Sequence, residues 1–193
     1  MLHNLLKNQD IILASRSPRR AFLLKQVGLH FRQIPSLIEE HLNGMQPEEF
    51  VLHYAQKKAE EIQKKYHESL IIGADTIVIL HNDIIGKPKD EDDAFHILKK
   101  LSGQCHEVFT GVSILHNETH ISKIAKTKVF FKRISDEDIR EYVSTGEPMD
   151  KAGAYGIHGF GSQFIDKIEG CYFNVMGFPI PLFYDMCLKL KLV

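Results

Sequence analysis

Cysteine is scarce in these 193 residues: Cys105, Cys171 and Cys187 stand far apart, with no CxxC pair and no Cys/His spacing suited to zinc. So odd and scattered a set argues against a disulfide framework and fits buried, inert thiols in a reducing cytoplasm. Charge of one sign is missing too. Twenty-four Lys and Arg face 25 Asp and Glu, so no overall basic field draws the chain to nucleic acid, and any basic site must be local. No apolar run approaches the ~18 to 20 residues of a membrane span. The opening MLHNLLKNQD also lacks the basic stretch and apolar core of a secretory signal. The expectation is a soluble cytoplasmic protein that binds neither nucleic acid nor membrane. Internal repeats, low-complexity linkers, a Walker loop GxxxxGK(S/T) and, among 11 histidines, an HExxH pair are all absent. His116 and His120 flank a turn signal rather than share a helix face, so they do not suggest a metal site.

What is present is enough chain for a sizeable core without staples, in one large domain or two small lobes. Ile11 to Ala14 reads as a short buried strand; Ser17-Pro18 then supplies an N-cap and a first-turn proline for a helix that closes at Gly28. A second strand is expected over 31–35. A helix follows from Pro47 to about Tyr66, with acids at its start and lysines towards its end, as the helix dipole favours. Residues 70–88 read as a hairpin around Asn82-Asp83, and Asp90 to Leu101 as a helix stopped by Ser102-Gly103. Two long strands over 106–134 turn near Asn117; Ser135 caps a helix that ends at Gly146. The stretch 146–162 carries too many glycines for a regular element, and a loop of that length inside a compact domain is usually functional. A strand near 163–168 and a helix from Pro179 to Leu190 close an α/β arrangement, its sheet mixed because hairpins interrupt the crossovers.

Three places look chemical. Ser15, Arg16, Arg19 and Arg20 gather at a strand-to-helix junction, where free amides and the positive helix end already favour an anion. Arginine forks match phosphate oxygens. A solvated basic first turn is the plainer alternative, but basic residues there oppose the dipole, so stability alone would not select them. The second place is Asp75, a carboxylate inside the apolar run LIIGADTIVIL, expensive unless paired or coordinating a metal. Lys58 and Lys87 are the cationic partners within range of choice, and a buried ion pair without chemistry is the competing account. The third is the 146–162 loop with Glu147, Asp150, Lys151 and His158, whose glycines permit close backbone approach to a ligand.

SRSPRR at 15–20, GADT at 73–76, GKP at 86–88, FTG at 109–111, YVSTGEPMDKAGAYGIHGFG at 142–161 and the closing IEGCYFNVMGFPI together resemble the Maf family, in order and over nearly the whole chain. The resemblance implies a single Maf-like domain over 1–193. Its implied fold is a mixed central sheet flanked by helices, elongated, two-lobed and cleft between the lobes, related to the house-cleaning inosine triphosphate pyrophosphatases. The implied activity is that of a nucleoside triphosphate pyrophosphatase, which yields the monophosphate and pyrophosphate, and the family is often dimeric. By motif match, Ser15, Arg16 and Arg20 would hold phosphates, with Lys58 and Lys87 beside them. Asp75 would take the proton-acceptor position, and Glu40 and Asp75 would hold a divalent cation, Mg2+ by expectation. Base, metal ligand and both are open to Asp75 at this stage. A carboxylate on Mg2+ has a lowered pKa, which favours orienting water over removing its proton.

Subgroups of the family differ at three positions, here Arg19, Thr76 and His158. The dTTP/UTP subgroup carries Arg, Thr and Gln; the 7-methyl-GTP subgroup typically carries Trp, Gln and Glu. Two of the three match the pyrimidine subgroup, and His158 departs from both. A glutamine amide donates and accepts at one edge, whereas neutral imidazole offers one of each from different ring sides. The resemblance therefore points to dTTP, UTP and related pyrimidine nucleotides, CTP and modified ones included. A 7-methyl-GTP pyrophosphatase and a non-catalytic nucleotide-binding regulator of septum formation are the alternatives.

Overall fold

The computed structural model describes residues 1–41 and 44–190. Its elements, in chain order, are α1 (Leu2–Leu5), β1 (Ile11–Leu13), α2 (Pro18–Gln26), β2 (Arg32–Gln33), α3 (Pro47–Gln63), β3 (Leu70–Leu80), β4 (Asp83–Ile85), α4 (Glu91–Leu101), β5 (Cys105–His116), β6 (Thr119–Phe131), α5 (Asp136–Ser144), β7 (Ile165–Glu169), α6 (Tyr172–Val175) and α7 (Ile180–Leu188). Three 3-10 turns fall between α5 and β7. The strands form one seven-stranded sheet in the order β2-β1-β3-β5-β6-β7, with β4 paired to β3. β1 runs parallel to β2 and β3, whereas β3/β4 and β6/β7 are antiparallel, so the sheet is mixed as expected.

Local chemistry accounts for most boundaries. Ser17, Asp90 and Ser135 each cap a helix by accepting a backbone N–H three residues on. The β3/β4 hairpin turns through His81 and Asn82, both at positive φ, which is the twist a two-residue loop needs. The turn therefore lies one residue earlier than Asn82-Asp83 suggests. The second strand contracts from the expected 31–35 to Arg32 and Gln33, both exposed. Helices α1 and α6 were not anticipated: four residues each are too short for a periodic signal.

The chain divides into two compact units. The first comprises Met1–Asp75, Thr110–Ala125 and the chain from Gly177; the second comprises Thr76–Phe109 and Lys126–Met176. In the first, Ile12, Ala14, Ala59, Ile62, Ile71 and Leu115 pack together, which seats α3 on the sheet. The contact is close because of two glycines: a Cβ on Gly73 would lie 2.0 Å from the Ala55 carbonyl oxygen, and one on Gly111 would lie 2.3 Å from that of Val51. In the second, α4 and α5 cover a core that includes Leu98, Val129, Phe131, Ile139, Tyr155 and Phe164. Among the described residues no helix is long and apolar enough to cross a membrane.

Candidate active site

Beyond β1 the chain turns through Ser15 and Arg16 into α2. Ser15 Oγ accepts from the Ser17 amide at 3.2 Å and from Arg20 Nη1 at 3.0 Å, and Gln33 Nε2 donates to the Ser15 carbonyl at 2.8 Å. Arg20 is buried and does more than sequence shows. Nη1 also donates to the Ala74 carbonyl at 2.8 Å, and Nε to that of Gly177 at 2.9 Å. This guanidinium fastens the 15–17 turn to the strand residue before Asp75 and to the segment that leads into α7. Burial lowers its pKa, with Asp75 and Glu40 opposing, and a guanidinium stays cationic through such a shift. Arg16 is exposed and Arg19 half-buried.

Alternation along β3 places Ile71, Gly73 and Asp75 on the side facing α3. Because Gly73 lets α3 approach, Lys58, one turn beyond Ala55, reaches Asp75: Nζ donates to Oδ1 at 2.7 Å. The same ammonium donates to Glu40 Oε1, so one lysine holds two carboxylates. Asp75 is 3% exposed, and its Oδ2 is buried with no hydrogen-bond partner. Burial pushes its carboxyl above the usual range; Lys58 pulls it back, and Glu40 adds to the push. A buried carboxylate oxygen left with spare acceptor capacity is costly for stability alone and useful to a reacting group or a cation.

The second unit holds Thr76, Lys87 and His158, the last two exposed. Gly86, before Lys87, accepts from the Gly153 amide at 3.0 Å, which ties the GKP stretch to the glycine-rich loop. That loop closes around Glu147. Oε1 accepts from the Tyr142 hydroxyl at 2.9 Å and the Gly161 amide at 3.3 Å; Oε2 accepts from the Phe160 amide at 2.8 Å. Lys151 Nζ donates to the Glu147 carbonyl at 2.6 Å and to Asp150 Oδ1 at 2.7 Å. The glycines serve this arrangement: a Cβ on Gly159 would sit 2.3 Å from Glu147 Oε2, and one on Gly156 2.9 Å from Lys151 Cε. Close backbone approach was expected towards a ligand. These two glycines make it towards the loop's own side chains.

Ser15, Arg20, Glu40, Lys58 and Asp75 are thus linked in the first unit, whereas Lys87, Thr76 and His158 belong to the second. Tyr142 opens the 142–161 motif, but the hold of its hydroxyl on Glu147 is not legible there, because a tyrosine at a helical core spacing looks like packing. The same spacing hides Tyr54 on α3, whose hydroxyl bonds the His41 backbone.

The sequence matches the family described as Maf-like protein over residues 10–190. Proteins named dTTP/UTP pyrophosphatase are similar to it along almost their whole length. That of Dictyoglomus turgidum is 47% identical over 176 residues, 89% of this chain and 91% of its own. That of Caldicellulosiruptor saccharolyticus is 46% identical over 189 residues, 94% and 95% respectively. That of Caldicellulosiruptor bescii is 48% identical over 177 residues, 88% and 89%. Among solved structures, the Ham1 protein of Staphylococcus aureus is 17% identical with a TM-score of 0.47, covering 81% of this chain and 80% of that one, too weak a likeness to bear on fold or chemistry. Spanning all but the first few and last few residues, the match shows that this chain belongs to the Maf family.

Proposed function

We propose that the protein hydrolyses the α–β phosphoanhydride of dTTP and UTP, releasing the nucleoside monophosphate and pyrophosphate. The observation that carries this reading is the Asp75 carboxylate, buried, held at Oδ1 by Lys58 beside Glu40, and unpartnered at Oδ2. The three relatives bearing that activity in their names support it.

In the reaction, water attacks the α-phosphorus, the bond from that atom to the bridging oxygen breaks, and pyrophosphate departs. Asp75 Oδ2 orients the water. Arg16 takes phosphate oxygens, with Ser15 contributing its hydroxyl. Arg20, its Nε and Nη1 engaged with Gly177, Ala74 and Ser15, keeps the turn that presents them in place. By motif match, Lys87 is assigned to phosphate. Arg19, Thr76 and His158 bear on the choice of base.

The residues also fit a divalent cation. No cluster of three or more His, Cys, Asp or Glu suited to a metal occurs among the described residues. A small hard cation that keeps its waters and shares phosphate oxygens needs only one or two carboxylates, and the spare oxygen of Asp75 with the Glu40 carboxylate meets that need. Mg2+ is the ion that such a set suits, and when bound it would neutralise charge that builds on the phosphate oxygens.

Incubating the protein with dTTP, UTP, CTP and 7-methyl-GTP in Mg2+ and measuring pyrophosphate tests the reading. Release from dTTP and UTP is expected. Release from 7-methyl-GTP alone would move the protein to the other subgroup, and binding without release would make it a nucleotide-binding regulator.

A further inference from the structure

The segment that carries Glu40 has no regular secondary structure from residue 34 to residue 41, yet it is fastened along its length to one face of α3. Tyr54, Lys58 and Glu61 lie four and three residues apart, so they share that face. Glu61 Oε2 accepts from the Ser36 hydroxyl and, at 2.9 Å, from the Leu37 amide. Lys58 takes the Glu40 carboxylate. At the far end, the Tyr54 hydroxyl accepts from the His41 amide at 2.8 Å and donates to the His41 carbonyl at 3.2 Å. The His41 side chain is 74% exposed and takes no part, so the tyrosine grips backbone, whatever the side chain there.

We infer that Tyr54 is a positioning residue that sets where the Glu40 carboxylate stands beside Asp75. The ion pair alone is a poor anchor: the Glu40 side chain is 44% exposed, and half-exposed pairs are screened by salt and tolerate many geometries. Two hydrogen bonds from a hydroxyl on a 5%-exposed tyrosine, whose ring packs on Phe50 at 4.7 Å between centroids, are directional and fix the neighbouring peptide. Tyr54 contacts neither phosphate nor water in this scheme; it acts through Glu40. The inference rests on the proposed use of Glu40 and Asp75 as a shared cation site.

The test compares wild type, Tyr54→Phe, Glu40→Gln and the double variant. Tyr54→Phe keeps the ring and its packing, so the fold survives. Two quantities are read: the Mg2+ concentration that half-saturates dTTP hydrolysis, and Mn2+ binding without turnover, from the EPR signal of free Mn2+ with α,β-imido-dUTP. Losing this anchor should raise the half-saturating Mg2+ about three- to tenfold and weaken Mn2+ binding alike, while kcat at saturating Mg2+ changes less than about twofold. In the Glu40→Gln background, Tyr54→Phe should add nothing to either quantity. Equal effects in both backgrounds, or a lowered melting temperature with unchanged metal dependence, would overturn the inference. If wild type releases no pyrophosphate but the Mn2+ pattern holds, the pyrophosphatase reading falls and the role of Tyr54 stands.

Discussion

Asp75 in the first unit and Glu147 in the second are both carboxylates withdrawn from water, the first almost wholly and the second in part, and the protein treats them in opposite ways. Glu147 receives a hydroxyl and two backbone amides over its two oxygens. Burial alone would raise its carboxyl, but those donors hold it below the usual range. Asp75 receives one ammonium on one oxygen, keeps the other bare, and is pushed up by burial. A carboxylate whose lone pairs are filled by its own chain is architecture. One left with capacity at a stability cost has that capacity for something else.

The largest effect should come from Asp75→Asn. Losing the charge while keeping the shape should lower turnover of dTTP by at least about a hundredfold. Lys58 retains Glu40 as its counter-charge, so the circular dichroism spectrum and a cooperative melt should persist. Near-wild-type turnover would erase the distinction drawn above. Glu147→Ala should do the reverse. It leaves the Tyr142 hydroxyl and two amides without their acceptor, at about 2 to 3 kcal/mol. In urea the midpoint should fall accordingly, with turnover at low temperature reduced far less than by Asp75→Asn.

How far the two carboxylates could be told apart in sequence depends on range. Asp75 stands out because a charge interrupts LIIGADTIVIL, a local contrast that needs no partner to be noticed. Ser17-Pro18 and Ser135 likewise announce α2 and α5 within four residues. Glu147 does not, since its donors lie at 142, 160 and 161, and glycines that clear space for a side chain look like glycines that clear space for a ligand. The sheet order was hidden for the same reason: β1 sits between β2 and β3, and β3 meets β5, through crossovers that no local pattern specifies. Arg20 is the instructive intermediate case. Its position at a helix start was legible, but its bonds to Ala74 and Gly177 were not, because they span 54 and 157 residues.

The second unit also buries a titratable group that its own chain leaves half satisfied. His106 is 1% exposed, its Nε2 lies 2.8 Å from the Tyr155 hydroxyl, and its Nδ1 has no partner. Burial lowers its pKa to about 4. The folded value lies below the unfolded one of ~6.5, so the unfolded chain binds the extra proton between them. The contribution is complete above about pH 6.5 and is lost as pH falls towards 4, for a total of about 3 kcal/mol. His106→Gln can still meet the Tyr155 hydroxyl and carries no titrating group. Denaturant melts at pH 7 and pH 5 should therefore differ less for the variant than for wild type. Parallel pH dependence in the two would mean that other groups govern acid stability.

The smallest effect concerns His158, which rides on the loop that Glu147 shapes. Neutral imidazole presents its donor and acceptor on different ring sides; a glutamine amide offers both at one edge, which suits a pyrimidine carbonyl and its neighbouring N–H. One added neutral hydrogen bond is worth roughly 0.5 to 1.5 kcal/mol, so His158→Gln should leave kcat/KM for dTTP and UTP unchanged or raise it by up to about tenfold. It should create no activity on 7-methyl-GTP, since Arg19 and Thr76 are untouched. Loss of turnover on every nucleotide would instead make the imidazole part of the chemistry. The ratio of dTTP to UTP turnover reports whether Glu147 also bears on base choice. If Glu147→Ala shifts that ratio in the same direction as His158→Gln, the saturated carboxylate acts on base choice by holding the loop. If it lowers both rates equally, it maintains the second unit and nothing more.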